Sequence, residues 1–139
     1  MSFKCHLASW AGTAMVGAVL LLAAPGTASA AGDVSKEIGA AEQHAEFATK
    51  ATDIKMVHAH LQHVVNCMVG PKGKGFDAAQ LNPCKDLGDG VLPDTKDKAK
   101  KSQLNKALSA ARAGLKASKI ETAQKHASDA MGMLKQASM

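Results

Sequence analysis

The chain has no tyrosine, one tryptophan and three phenylalanines. Two of those four rings, Phe3 and Trp10, fall in an N-terminal leader. Only Phe47 and Phe76 remain for the folded part. So few rings exclude a large aromatic core and a stacking platform for bases or sugars. Packing falls to alanine, leucine, isoleucine and methionine, and an alanine-rich core implies closely approaching helices rather than sheets. The basic, aromatic-interleaved patch of a nucleic-acid reader is also missing, so no nucleic-acid partner is expected. There is no Ser/His/Asp arrangement, no phosphate-cradling loop and no zincin motif, and the chain is not read as an enzyme. A Cys67/His63 nucleophile pair would need a free thiol.

Charge and cysteine are modest too. The net charge is +5, falling to +4 without Lys4, and lysines scattered along helices read as a solvated face. Of three cysteines, Cys5 lies in the leader. The other two, Cys67 and Cys84, match neither a zinc ribbon nor the C-x-x-C-H of haem attachment.

The leader has the parts of a secretory signal. Lys4 gives a positive start, Ala11–Ala24 is apolar but too short to span a bilayer comfortably, and Pro25-Gly26 breaks it. Ala28-Ser29-Ala30 is a small-residue cleavage site, so residues 1–30 are expected to be removed before Ala31. A retained anchor is the competing reading. The expected product, 31–139, is one domain, periplasmic or secreted, without stable membrane insertion. An even pair of cysteines in an exported chain reads as a disulfide. Joining Cys67 to Cys84 closes a loop of about 18 residues, worth ~3 kcal/mol on the chain-entropy model.

From Val34 onward the pattern is helical. Ile38, Ala41, Ala45 and Ala48 share one face of a first helix, about 34–50, with Asp33 as N-cap. Thr52 and Asp53 can cap a second, about 53–69, whose apolar face is Ile54, Val57, Leu61, Val64, Val65 and Met68. One unbroken helix over 34–69 is the alternative. Gly70-Pro71 stops the run. Residues 70–94 form a Gly/Pro-rich excursion, expected to be tied down by the disulfide and to tuck Phe76, Leu81 and Leu87 onto the helices. Its Asp86–Gly90 stretch lacks the register of a calcium loop. A third helix, about 95–116, is capped by Asp94 or Thr95 and carries Leu104, Ala107, Leu108, Ala111 and Leu115. Ser118-x-x-Glu121 is a capping box for a fourth, about 119–136, with Ile120, Ala123, Ala127, Ala130, Met131 and Leu134. The fold class expected is all-α: a four-helix up-and-down bundle of two hairpins joined by the long, disulfide-tied loop.

A shift of 66 residues aligns the two halves. Lys50-Ala51-Thr52-x-Ile54 falls on Lys116-Ala117-Ser118-x-Ile120, His60-Leu61 on His126-Ala127, and Met68 on Leu134. The repeat favours breaks near 52 and 118. Histidine follows isoleucine by six residues three times, at His44, His60 and His126. At about 100° per residue, each flanks the core at the same edge, about 90° from its centre. The third helix has Ala110 instead.

Imidazole is the commonest protein ligand for transition metals. His60 and His63, one turn apart, form the principal candidate pair, with His44, His58 and His126 contributing. Met56 would add a soft thioether suited to Cu(I), and Asp53 or Asp129 a hard oxygen. His58 is expected on the opposite flank, and His63 exposed. A mostly histidine site puts copper first by the general affinity order, with zinc or nickel possible.

The His-Ala dyads of Gln43–Ala48 and Lys125–Met131, with the His58–His63 region, resemble the periplasmic small metal-binding proteins, histidine-containing four-helix bundles of about this mature length. The resemblance implies reversible binding of copper, nickel or zinc. The fewer histidines here, and the cysteine-tied loop, depart from the family and put multi-ion capacity in doubt. Two other readings stand beside it. One is an envelope interaction module whose business end is the 70–94 loop. The other is a haem-binding bundle using His60 or His126 with Met56 or Met131, against which the scarcity of large apolar residues argues.

Overall fold

The computed structural model describes residues 32–139; the expected signal peptide lies outside them. The described chain is all-helical, with α1 (Val34–Lys50), α2 (Ile54–Val69), α3 (Val91–Asp94), α4 (Lys98–Lys116) and α5 (Ile120–Ser138). None of these helices is long and apolar enough to cross a membrane.

Aspartates start three of the four long helices. Asp33, Asp53 and Asp97 accept from the backbone N–H of Lys36, Met56 and Lys100, satisfying donors the first turn leaves open. The third long helix therefore begins after Asp97 rather than at 95, and part of the expected loop is the single helical turn α3. Proline explains the offset. Pro93 lies within the separate turn Val91–Asp94, and Thr95 Oγ1 donates to the Val91 carbonyl at 2.6 Å instead of capping α4. The expected capping box at Ser118 does not form either. Lys119 occupies the N-cap of α5, with no side-chain bond to the helix. α5 runs on to Ser138, past the expected end at 136.

The break between α1 and α2 falls at Ala51–Asp53, so 34–69 is two helices. Ala51 is extended (φ −65°, ψ 140°), and so is Ala117 (φ −72°, ψ 132°) between α4 and α5. These are equivalent positions of the 66-residue repeat.

α1 packs against α2 and α5, and α4 against α5 and α2. The buried faces are those the periodicity selected: Ile38, Ala41, Ala45 and Ala48; Val57, Leu61, Val64, Val65 and Met68; Leu104, Ala107, Leu108 and Ala111; Ala123, Ala127, Ala130 and Leu134. Alanines on facing helices let the axes approach closely. Gly114 extends this to no side chain at all, since a Cβ there would press on Leu61 Cδ1 and His126 Cβ.

The 70–94 excursion is held from three sides. Cys67 and Cys84 are disulfide-bonded, with Cα atoms 5.0 Å apart, and both are buried. Asn66, fully buried, accepts from Asp77 N–H at 2.9 Å and donates to the carbonyls of Asp77 and Leu81 at 2.9 and 3.1 Å. At the far end Glu37 Oε1 accepts from Gly90 N–H at 3.0 Å. Gly70 and Gly90 have positive φ and face each other so closely that a Cβ on either would strike the other strand of the loop. Phe76 and Leu87 pack on the core as expected. Leu81 does not: it is 57% exposed, because Asn66 takes its carbonyl inward and turns the side chain to solvent.

Candidate metal centre

The helix ladder of α1 and α2 places three imidazoles in one cluster. His44 comes from the middle of α1; His60 and His63 come from one turn of α2. Each offers a ring nitrogen, and the three atoms lie within 4.8 Å of one another. His44 Nδ1 is 3.4 Å from His60 Nδ1 and 3.2 Å from His63 Nδ1. Two nitrogens bound tetrahedrally at about 2.0–2.1 Å from one metal lie ~3.3 Å apart, which the two edges from His44 match.

His63 thus differs from its expected place. It is half-buried rather than exposed, because α1 crosses α2 on that side and His44 covers it. The reading of His44, His60 and His126 as one set also changes. His44 and His60 meet across α1 and α2, while His126 is on α5 beside Gly114. The equivalent flanks of separate hairpins do not converge.

The electrostatics favour lone pairs over protons. Burial pushes His44 down to about 4, and the neighbouring His63 and His60 push the same way. Burial lowers His60 as well. His63 is lowered by burial and by His60, partly offset by a hydrogen bond to Gln80. All three shifts favour the uncharged ring, the form that binds a metal.

Phe47 closes one side, its ring 5.5 Å from that of His44 and 5.4 Å from that of His60. Beyond it a cavity of about 410 Å³ is lined by Phe47, Met56 and His60 among others. Met56 is therefore next to the cluster, with its side chain half in solvent.

The remaining candidates have other partners. Asp53 caps α2. Asp129 pairs with Lys125 at 2.9 Å. His58 lies on another flank, its Nε2 3.0 Å from the carbonyl oxygen of Ala117 at the end of α4. Gln124 makes the reciprocal bond from α5, donating to the carbonyl of Ala51 at 2.9 Å and of Thr49 at 3.2 Å. Residues 58 and 124 are 66 apart, as are 51 and 117. Each hairpin therefore has a second helix that caps the C-terminal end of the other hairpin's first helix. Imidazole and amide both supply an N–H to carbonyls that a helix end leaves unpaired. His58 thus stands on the opposite flank, as expected, with a backbone carbonyl as its partner. The repeat register held the clue, since it pairs His58 with Gln124.

Two further residues escaped the sequence reading. Asn66 interrupts no periodicity, so nothing marked it as buried. Glu37 looked like a first-turn acid, yet it is fully buried.

Comparison with protein-family models, curated proteins and solved structures finds no match to the chain.

Proposed function

We propose that the protein binds a transition-metal ion at His44, His60 and His63. The observation that carries this reading is the convergence of three ring nitrogens within 4.8 Å of one another, two of the pairs at 3.4 and 3.2 Å; a tetrahedral ion held by all three keeps one coordination position for water, Met56 or an incoming ligand. Three neutral imidazoles without a carboxylate in the group favour copper or zinc over magnesium or calcium. Copper stands first by affinity, zinc by its preference for tetrahedral geometry, and nickel third. The scaffold for this function is an antiparallel four-helix bundle of two hairpins, with the disulfide-tied loop as its cover. The expected signal peptide and the disulfide agree with a periplasmic role in metal handling, without catalysis.

Calorimetric titration of the processed chain with Cu(II) and with Zn(II) tests the reading. One ion per chain, bound in the micromolar range or tighter and lost in His63→Ala, is the expected result. Binding weaker than ~1 mM, or unchanged in His63→Ala, overturns it.

A further inference from the structure

Where the loop meets α4, two contiguous cavities of about 240 and 280 Å³ share Val69, Gly73 and Pro93. Their floor is apolar: Val69, Pro71, Leu92 and Pro93. Cations ring it. Lys74, Lys101 and Arg112 line one cavity and Lys72 the other. Lys101 and Arg112 are eleven residues apart on α4, about three turns, and both reach the same cavity.

The placement of these cations is unfavourable for the fold alone. Lys98, Lys100 and Lys101 crowd the first turns of α4, where the helix dipole favours acids and where the N-cap Asp97 is the one acidic side chain. Among the described residues no carboxylate pairs with Lys72, Lys74, Lys101 or Arg112; the ion pairs lie on α1 and α5. Arg112 gives one N–H to the Lys74 carbonyl, which fixes the groove wall and leaves its other donors available. Asp89 is the single acid on the lining, at the Lys72 end. The other end is purely cationic.

We infer that this groove binds an amphiphilic anion, a carboxylate on an unbranched apolar tail, with the head between Lys74, Lys101 and Arg112 and the tail over Val69, Leu92 and Pro93 toward Pro71. Charge complementarity selects the anion, and the elongated apolar floor selects the chain. The groove shares no residue with the histidine cluster, so it stands apart from the metal reading.

Dodecanoate is the probe, titrated by calorimetry into the processed chain, with dodecanol as the uncharged control. Saturable one-to-one binding is expected, about tenfold or more tighter than for dodecanol and about tenfold weaker in Lys74→Glu/Lys101→Glu. Lys74 is exposed and Lys101 half-buried, and unchanged helical circular dichroism shows that the double variant remains folded. His63→Ala binds dodecanoate like the parent. Absence of saturation up to ~1 mM, equal affinity for dodecanol, or indifference to the charge reversals overturns the proposal. A glutamate-rich decapeptide that binds more tightly than dodecanoate also overturns it, in favour of an acidic protein partner.

Discussion

The two hairpins, α1–α2 and α4–α5, are built alike and equipped differently. Both turn at an extended alanine, Ala51 or Ala117, and each is latched to the other by a side-chain N–H, from Gln124 or His58. At the positions of His44, His60 and His63, the second hairpin carries Ala110, His126 and Asp129. One scaffold thus presents three imidazoles on one side and one imidazole, a methyl group and a carboxylate on the other. The difference shows that the helical hairpin does not by itself make the candidate centre. Three side chains do, and only where one residue of the first helix faces two of the second.

The sharpest way to break this comparison is to remove equivalent residues. His63→Ala is expected to weaken Cu(II) or Zn(II) binding ~100-fold or more, about 2.7 kcal/mol, while Asp129→Ala leaves it unchanged. Calorimetry on both variants decides whether the hairpins differ as described. The complementary experiment rebuilds the missing set. Ala110→His with Asp129→His, alongside the existing His126, is expected to raise the stoichiometry from one ion to two, the second bound about tenfold more weakly because its surroundings were not shaped for it. If the stoichiometry stays at one, the hairpins are not geometrically equivalent at this level.

A third prediction contrasts the histidines with the other desolvated ionisable group of α1. Glu37 is fully buried, its Oε2 has no hydrogen-bond partner, and burial together with Asp94 pushes it up to about 7. Its carboxyl is protonated more readily in the folded than in the unfolded chain, where the ordinary value of 4.5 applies. Glu37 therefore contributes a loss of stability as pH rises from about 4.5 to about 7, and none further above that. The histidines act in the opposite sense. His44 takes up its proton near 4 when folded but near 6.5 when unfolded, so stability falls as pH drops through that window. The two effects oppose each other between about 4.5 and 6.5. Glu37→Gln is expected to remove the destabilisation on the alkaline side, on the order of 2 kcal/mol, leaving a stability that rises with pH. Urea denaturation across pH 4 to 8 measures it, and a profile unchanged by the substitution excludes the role given to Glu37.

The smallest effect concerns the latches. His58→Ala and Gln124→Ala are each expected to cost about 1 kcal/mol of unfolding free energy, the usual worth of a hydrogen bond, without altering metal binding. Equal losses in the two variants support the reciprocal arrangement. A metal-affinity change in His58→Ala would return that residue to the ligand set.

Much of the fold was legible in the chain. The alanine and leucine faces of all four long helices, the pairing of the two cysteines and the break before Asp53 all follow from local patterns. Helix starts were legible where an aspartate stood alone. They were misplaced where a proline turn or a lysine N-cap intervened, because several caps compete over a few residues and the surrounding packing selects one. The candidate centre was half legible. His60 and His63 share a helix turn, so their proximity is a matter of helical pitch. His44 belongs with them because of how α1 packs on α2, and the repeat, which set His44 and His126 side by side, did not choose between them.

What the sequence alone determined is therefore everything set by short-range geometry: which residues are helical, which faces are apolar, and which side chains recur at the same edge. Tertiary structure decided which of those edges meet. Helix periodicity places a histidine on a flank to within a few tens of degrees, but several helices carry such a flank. Burial of the alanine faces brings α1 onto α2 and α4 onto α5, and that choice assembles His44, His60 and His63 while it leaves His126 beside Gly114 and turns His58 into a cap.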